Sequence, residues 1–150
     1  MAQLLARKHL VIEASPAIVW QVHTDINAGS QWQRSISSAR AVLPLAVGSR
    51  FEWKSGGLNL TSTIQTLEVN RRISWTGKSL GTVANHVWTL EARDGGTMVI
   101  TEESMTGWLV GPLKLLRPRF LDESLEAWLH DLKVRAETFN RDLGAHTVRT

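Results

Sequence analysis

Between residues 35 and 104 the chain repeats a single device, a short run of alternating apolar and polar side chains closed by a turn signal. "GSRFEWKS" sets Phe51 and Trp53 against Arg50, Glu52 and Lys54. "LNLTSTI" sets Leu58, Leu60, Ser62 and Ile64 against Asn59, Thr61, Thr63 and Gln65, and "RISWTGK" sets Ile73, Trp75 and Gly77 against Arg72, Ser74, Thr76 and Lys78. Successive strand residues point to opposite faces, so each run is a strand with one dry and one wet face. Pro44 with Gly48, Gly56-Gly57, Asn70-Arg71, Leu80-Gly81 and Asp94-Gly95-Gly96 separate the runs, which makes them antiparallel and hairpin-linked. "ANHVWTLEA" continues the series with His86, Trp88 and Leu90 on the dry side. In "TMVITEES" Met98 and Ile100 compete with Val99 for the interior; we read Val99, Thr101 and Glu103 as inward.

Outside this block the period changes. Residues 122–143 carry Leu125, Leu129, Leu132, Ala136, Phe139 and Leu143 at spacings of three and four. Trp128 lies beside that stripe, and Glu126, His130, Asp131, Lys133 and Arg135 lie largely off it, the pattern of one long amphipathic helix. Gly144 is expected to close the helix as a C′ glycine, and 144–150 to fray. Near the start, residues 7–13 are β-prone and Ser15-Pro16 joins a helix N-cap to a proline at the first helical position. A short helix follows, and Asp25 is expected to cap a second one through Asn27 and Gly29. "GWLVGPLKLLRPRF", from Gly107, is too apolar for a plain loop and reads as a short helix or flap packing over a cavity.

Strands with one dry face and a helix with one apolar stripe must bury those surfaces against each other. The expected architecture is α+β: a curved antiparallel sheet of about seven strands around a long C-terminal helix, with two short helices after strand one, in one domain over 1–150. A chain of 150 residues buries roughly 70% of the surface its unfolded form exposes, so it supports a real core. No apolar run approaches the roughly 20 residues of a membrane span. The opening "MAQLLARKHLVIEA" shows no signal-peptide cleavage pattern, so the expected location is cytoplasmic, with no membrane insertion.

Composition narrows the chemistry. The chain has no cysteine, which removes disulfides, thiol catalysis and thiolate metal sites. A net charge of +3 from scattered basic pairs gives no stripe for nucleic acid. His23 and Asp25 lack a third ligand at suitable spacing, so no metal is expected. No phosphate loop, dinucleotide fingerprint or nucleophile elbow occurs, so no cofactor is expected either.

"SPAIVWQVHTDINAGSQW", "GSRFEWKSGG", "RRISWTGKSLG", "HVWTLEARDGGTMVITEES" and "LEAWLHDLKVRAE" together resemble the START-like or SRPBCC superfamily, in particular its bacterial polyketide cyclase/dehydrase branch, over roughly residues 3–143. The resemblance implies a helix-grip fold with an apolar cavity between the sheet and the C-terminal helix. The superfamily includes lipid carriers, hormone receptors and aromatase/cyclases, so function rests on the site.

Seven Trp and three Phe with no Tyr supply the material for that site. Any one Trp is more often core than ligand contact, but Trp53, Trp75 and Trp88 on neighbouring strands would form an aromatic wall. The expected lining is Phe51, Trp53, Leu60, Ser62, Ile73, Trp75, His86, Trp88, Thr101 and Glu103 from the sheet, with Trp128 and Leu132 from the helix. Trp20 is expected beneath the sheet and Trp32 at a helix–strand junction. His86 and Glu103 are the catalytic candidates, because a carboxylate holding one imidazole nitrogen raises the basicity of the other. The competing structural reading makes His86 a hydrogen-bonded core residue. Three functions follow from this sequence: binding of a small aromatic, polyketide-like or lipid-like ligand, a cyclase/dehydratase using His86 as acid or base, and an interaction module that exposes "GWLVGPLKLL" and forms a homodimer.

Overall fold

The computed structural model describes the backbone of residues 2–148 and side chains through Ala145. Seven strands form one antiparallel sheet: β1 (Gln3–Ile12), β2 (Ile36–Ala41), β3 (Arg50–Ser55), β4 (Leu58–Glu68), β5 (Arg72–Ser79), β6 (Thr82–Arg93) and β7 (Gly96–Thr106). Their order across the sheet is β1-β7-β6-β5-β4-β3-β2, so six of the seven strands run as successive hairpins from β2 to β7, and β1 closes on β7. Between β1 and β2 the chain crosses from one sheet edge to the other through α1 (Pro16–Thr24) and a 3₁₀ segment (Ile26–Gln31). α2 (Val110–Leu116) and the long α3 (Phe120–Val148) follow the sheet.

The dry face is built as the alternation predicts except at its ends, where Leu58 at the start of β4 and Leu143 late in the C-terminal helix are exposed. Phe51, Ile64, Ile73, Trp75, Trp88, Leu90 and Val99 are buried in one cluster with Trp128, Leu129, Leu132 and Ala136 of α3, and the α1 residues Val19, Trp20 and Val22 join the same core. Val99 and Thr101 are fully buried, so β7 has the inward parity expected for it. Ser15 Oγ accepts from the Ile18 N–H at 3.3 Å, with Pro16 in the first turn, as an N-cap should. A bulge at Gln65 shifts the β4–β5 register between Ile64 and Thr66, and this extra residue lets Leu67, opposite Ile73, reach the core alongside Ile64, opposite Trp75.

Four expectations are corrected. α3 begins at Phe120 rather than Asp122 and runs through Gly144 to Val148. Gly144 lacks the positive φ of a C′ cap and no proline follows it, so the helix continues at the modest expense of an interior glycine, about 1 kcal/mol relative to Ala. Residues 149 and 150 of the expected frayed tail lie outside the described residues. The second short helix is 3₁₀, and Asp25 sits at its N-cap position without a side-chain bond; its carbonyl instead accepts from Ala28 N at 3.1 Å.

The fourth correction concerns the segment from Gly107, which forms the short helix that was one of its two expected readings, α2, and is no flap over the interior. Val110 is buried with Leu4 and Leu121 in a separate small cluster beside β1, with Leu113 packed against it. Gly81 and Gly107 lock its start to the β5–β6 turn: both have positive φ, and a Cβ on Gly81 would lie 2.8 Å from the Trp108 ring.

Candidate functional site

Where α1, the 3₁₀ segment, β2, β3 and β5 meet α3, a recess opens among Ile26, Trp32, Ile36, Phe51, Trp53, Trp75 and Trp128, with His23 and Asp25 the polar groups on its wall. Its volume is about 30 Å³. That holds one or two waters, against roughly 300–1,000 Å³ for an ordinary ligand pocket. The interior expected to be open is therefore largely occupied, with Trp128 set among the surrounding rings. Its ring centroid lies 5.5 Å from Trp88, 6.1 Å from both Trp32 and Trp53, and 6.5 Å from Trp75.

Of the sequence-derived lining residues, Phe51, Trp53, Trp75 and Trp128 border the recess. Ser62 stands just behind it, accepting from Trp53 Nε1 at 2.9 Å. Ile73, Trp88, Thr101 and Leu132 are buried in the surrounding core, and Leu60 borders a surface hollow across β2, β3 and β4 instead. Trp20 is buried in the main core. Trp32, assigned from sequence to a junction, belongs to the recess wall.

His86 lies beyond Trp75, with ring centroids 5.3 Å apart, and next to Trp88 at 5.0 Å. Its Nε2 is 2.7 Å from Thr101 Oγ1, a hydrogen bond whose direction depends on the imidazole tautomer. Its Nδ1 is 3.9 Å from Glu103 Oε1, close enough to interact electrostatically and too far for a hydrogen bond. Burial, and secondarily His23, hold the His86 imidazole down to about 3, whereas burial pushes the Glu103 carboxyl up to about 7. Glu102, on the outer side of the same strand, is exposed and pairs with Arg7 at 3.4 Å.

His23, which the sequence suggested only as a metal ligand without a third partner, is part of the site. It is buried on the inner side of α1, its ring 4.3 Å from Trp88 and 5.6 Å from Trp75, and burial lowers its imidazole to about 3. Neither ring nitrogen has a hydrogen-bond partner, and the Trp88 and Trp32 indole N–H groups also lack one. A neutral imidazole has one donor and one acceptor, and leaving each buried without a partner costs about 1–3 kcal/mol. Of these groups, His23 and Trp32 border the recess, where an imidazole and an indole N–H can meet a polar group of a bound molecule.

The wall formed by residues 25–35 is tied down at both ends. Asn27 exchanges two hydrogen bonds with the Ala41 backbone, at 2.8 and 3.2 Å. Arg34 grips Asp131 of α3 through Nη2 at 3.0 Å, Nε at 3.1 Å and its own backbone N–H at 3.1 Å. The grip buries Asp131, which the helical pattern alone had placed on the wet side.

A sheet wrapped against one long helix, with an aromatic recess at the end of their interface, defines a helix-grip protein. The chain belongs to the family described as polyketide cyclase / dehydrase and lipid transport, which matches residues 6–137. Its fold is similar to that of a START superfamily protein from Mycobacterium smegmatis (TM-score 0.78, 15% identity, 90% of this chain and 98% of that one). It is also similar to the Zhui aromatase/cyclase from Streptomyces sp. R1128 (TM-score 0.76, 13% identity, 91% and 94%) and to the hypothetical protein jhp0584 from Helicobacter pylori (TM-score 0.76, 18% identity, 90% and 88%). No curated protein matches the sequence. Among the described residues no helix is long and apolar enough to cross a membrane, and no cluster of His, Cys, Asp or Glu is arranged to hold a metal ion.

Proposed function

We propose that this chain is a cytoplasmic binder of a small, flat, hydrophobic molecule bearing one hydrogen-bonding group. The observation that carries this reading is His23, a buried imidazole at the wall of an aromatic recess that makes no hydrogen bond to another protein group. The ligand's rings stack among Trp32, Trp53, Trp75 and Trp128, and its hydroxyl or carbonyl meets His23. Because the recess is about 30 Å³, entry requires Trp32 and Trp128 to move apart. Binding is then coupled to loosening of the 25–35 wall, and the closed form is the empty one.

A specific observation also favours a catalytic reading. His86 and Glu103 face each other on neighbouring strands, with the imidazole neutral and the carboxyl part-protonated near neutral pH, a pair suited to moving a proton. The structurally similar Zhui protein carries the name aromatase/cyclase. In such a reaction the recess would fold a polyketide-like chain and His86 would act as acid or base.

Fluorescence titration with 1-naphthol and with naphthalene tests the first reading. Saturable quenching by 1-naphthol, weaker with naphthalene, is expected, and the difference should vanish in His23→Phe. Absence of any saturable response overturns it. Turnover of a polyketide-like substrate that falls by about 10²–10⁴-fold in His86→Ala while binding persists would establish the catalytic reading instead.

A further inference from the structure

We infer that the segment from Trp108 to Arg119 is a docking surface for an anionic lipid membrane. Three of its apolar side chains point away from the core: Trp108 is 69% exposed, Leu115 83% and Leu116 78%, and Leu80 of the adjoining β5–β6 turn is exposed as well. Residues 114–119, "KLLRPR", are all exposed, so two leucines stand in water between Lys114 on one side and Arg117 and Arg119 on the other. From 107 to 121 there is no acidic residue. The nearest carboxylates are already engaged, Asp122 with Lys8 at 3.8 Å and Glu123 with Arg117 at 3.7 Å. That second pair is exposed on both sides and weak enough to exchange for a phosphate.

Protruding leucines, an exposed indole and flanking cations are what an interfacial segment uses: apolar groups enter the acyl boundary, Trp sits at headgroup level and Lys or Arg meet anionic phosphates. The segment is also held rigidly enough to present them. Val110 anchors α2 into the small core beside β1, Lys114 Nζ donates to the Gln3 carbonyl at 3.3 Å, and the Gly81–Gly107 contact fixes Trp108 against the neighbouring turn. A second copy of the chain fits less well. A two-fold contact sets a patch against itself, which would oppose Lys114, Arg117 and Arg119 to their own equivalents without acidic partners. The cations match a negatively charged surface, and the cytoplasmic leaflet has one.

Co-sedimentation of the whole chain with large vesicles tests the inference. Vesicles of phosphatidylcholine with about one third phosphatidylglycerol should carry the protein down at low salt, vesicles of phosphatidylcholine alone should not, and raising salt should release it. The charge-neutralising triple variant Lys114→Gln, Arg117→Gln, Arg119→Gln should weaken partitioning by about a hundredfold. Leu115→Glu with Leu116→Glu, at positions exposed enough to leave folding intact, should abolish it with an unchanged circular dichroism spectrum. Equal sedimentation with neutral vesicles, or none with either kind, overturns the inference. So does a wild-type dimer in analytical ultracentrifugation that the double leucine variant converts to monomer, because the face then belongs to a protein. His23→Phe should leave vesicle binding unchanged, which keeps this test separate from that of the ligand site.

Discussion

His86 on β6 and Glu103 on β7 are direct cross-strand partners, 3.9 Å apart between Nδ1 and Oε1, and burial shifts both toward their uncharged forms. At that separation they make no direct hydrogen bond, and nothing forces either to be charged at neutral pH.

That pair makes stability depend on pH in two opposing ways. Glu103 is raised from 4.5 to about 7 in the fold, so the native state holds its proton more tightly than the unfolded chain does. Its favourable contribution is complete below pH 4.5 and is lost as pH rises through 7. His86 and His23 are lowered from 6.5 to about 3, so the unfolded chain gains protons first on acidification. Their contribution is complete above 6.5 and is lost as pH falls toward 3. Glu103→Gln, neutral at every pH, should match wild type near pH 4 and exceed it by about 1–3 kcal/mol at pH 8. Urea unfolding across that range checks this; an equal difference at both ends would mean that Glu103 is not held protonated.

His23→Phe should stabilise the empty protein by about 1 kcal/mol, since it removes two unpaired buried nitrogens and keeps an aromatic ring against Trp88. The same variant should lose affinity for 1-naphthol. A function-bearing residue is the one whose removal improves the fold and harms binding. Thermal melts with and without ligand would reveal a structural histidine by the opposite sign.

How far these features can be read from sequence depends on which regularity carries them. The sheet was legible because Phe51, Ile64 and Trp75 alternate with polar residues and His86, Trp88 and Leu90 share one parity, a pattern with only one buried face. Leu67 was not, because the bulge at Gln65 changes the parity of β4 and leaves no mark on composition. Nor was His23: Val19, Trp20 and Val22 are buried around it on α1, so helical periodicity gives no polar side to which it should belong. The closure of the interior was equally hidden, since Trp128 lies beside the apolar stripe of α3 and only its rotamer decides whether it lines the space or fills it. "GWLVGPLKLL" looked like a cover for the cavity because its apolar content was plain; that Val110 would be buried beside β1 while Leu115 and Leu116 faced water depends on where α2 docks.

Arg34→Ala should loosen the 25–35 wall. It removes the two guanidinium contacts to Asp131 while leaving the backbone N–H at 3.1 Å, so the buried carboxylate keeps one donor. A loss of about 1–2 kcal/mol is expected, less than for a fully stripped buried ion. Amide exchange of residues 25–35 should rise and 1-naphthol should associate faster. Unchanged association would mean that the ligand enters elsewhere.

Trp128→Ala tests whether one side chain keeps the interior closed. Trp128 is nearly fully buried and touches His23, Trp32, Trp53, Trp75, His86 and Trp88. Deleting it should destabilise the protein by about 3–5 kcal/mol, the usual range for a large aromatic truncated in a core. A collapsible site would lose less, but the neighbours come from α1, β3, β5, β6 and the 3₁₀ segment, and no single one can move in to fill the space. The resulting apolar void should accept a free aromatic ring, so indole should restore part of the lost stability and raise the melting temperature of the variant progressively with its concentration. Wild type should show a much smaller rise with indole at the same concentration, because a ligand entering its recess of about 30 Å³ must first part Trp32 from Trp128. If instead the variant loses little stability and ignores indole, Trp128 does not fill the interior, and the ligand space between sheet and helix is open without it.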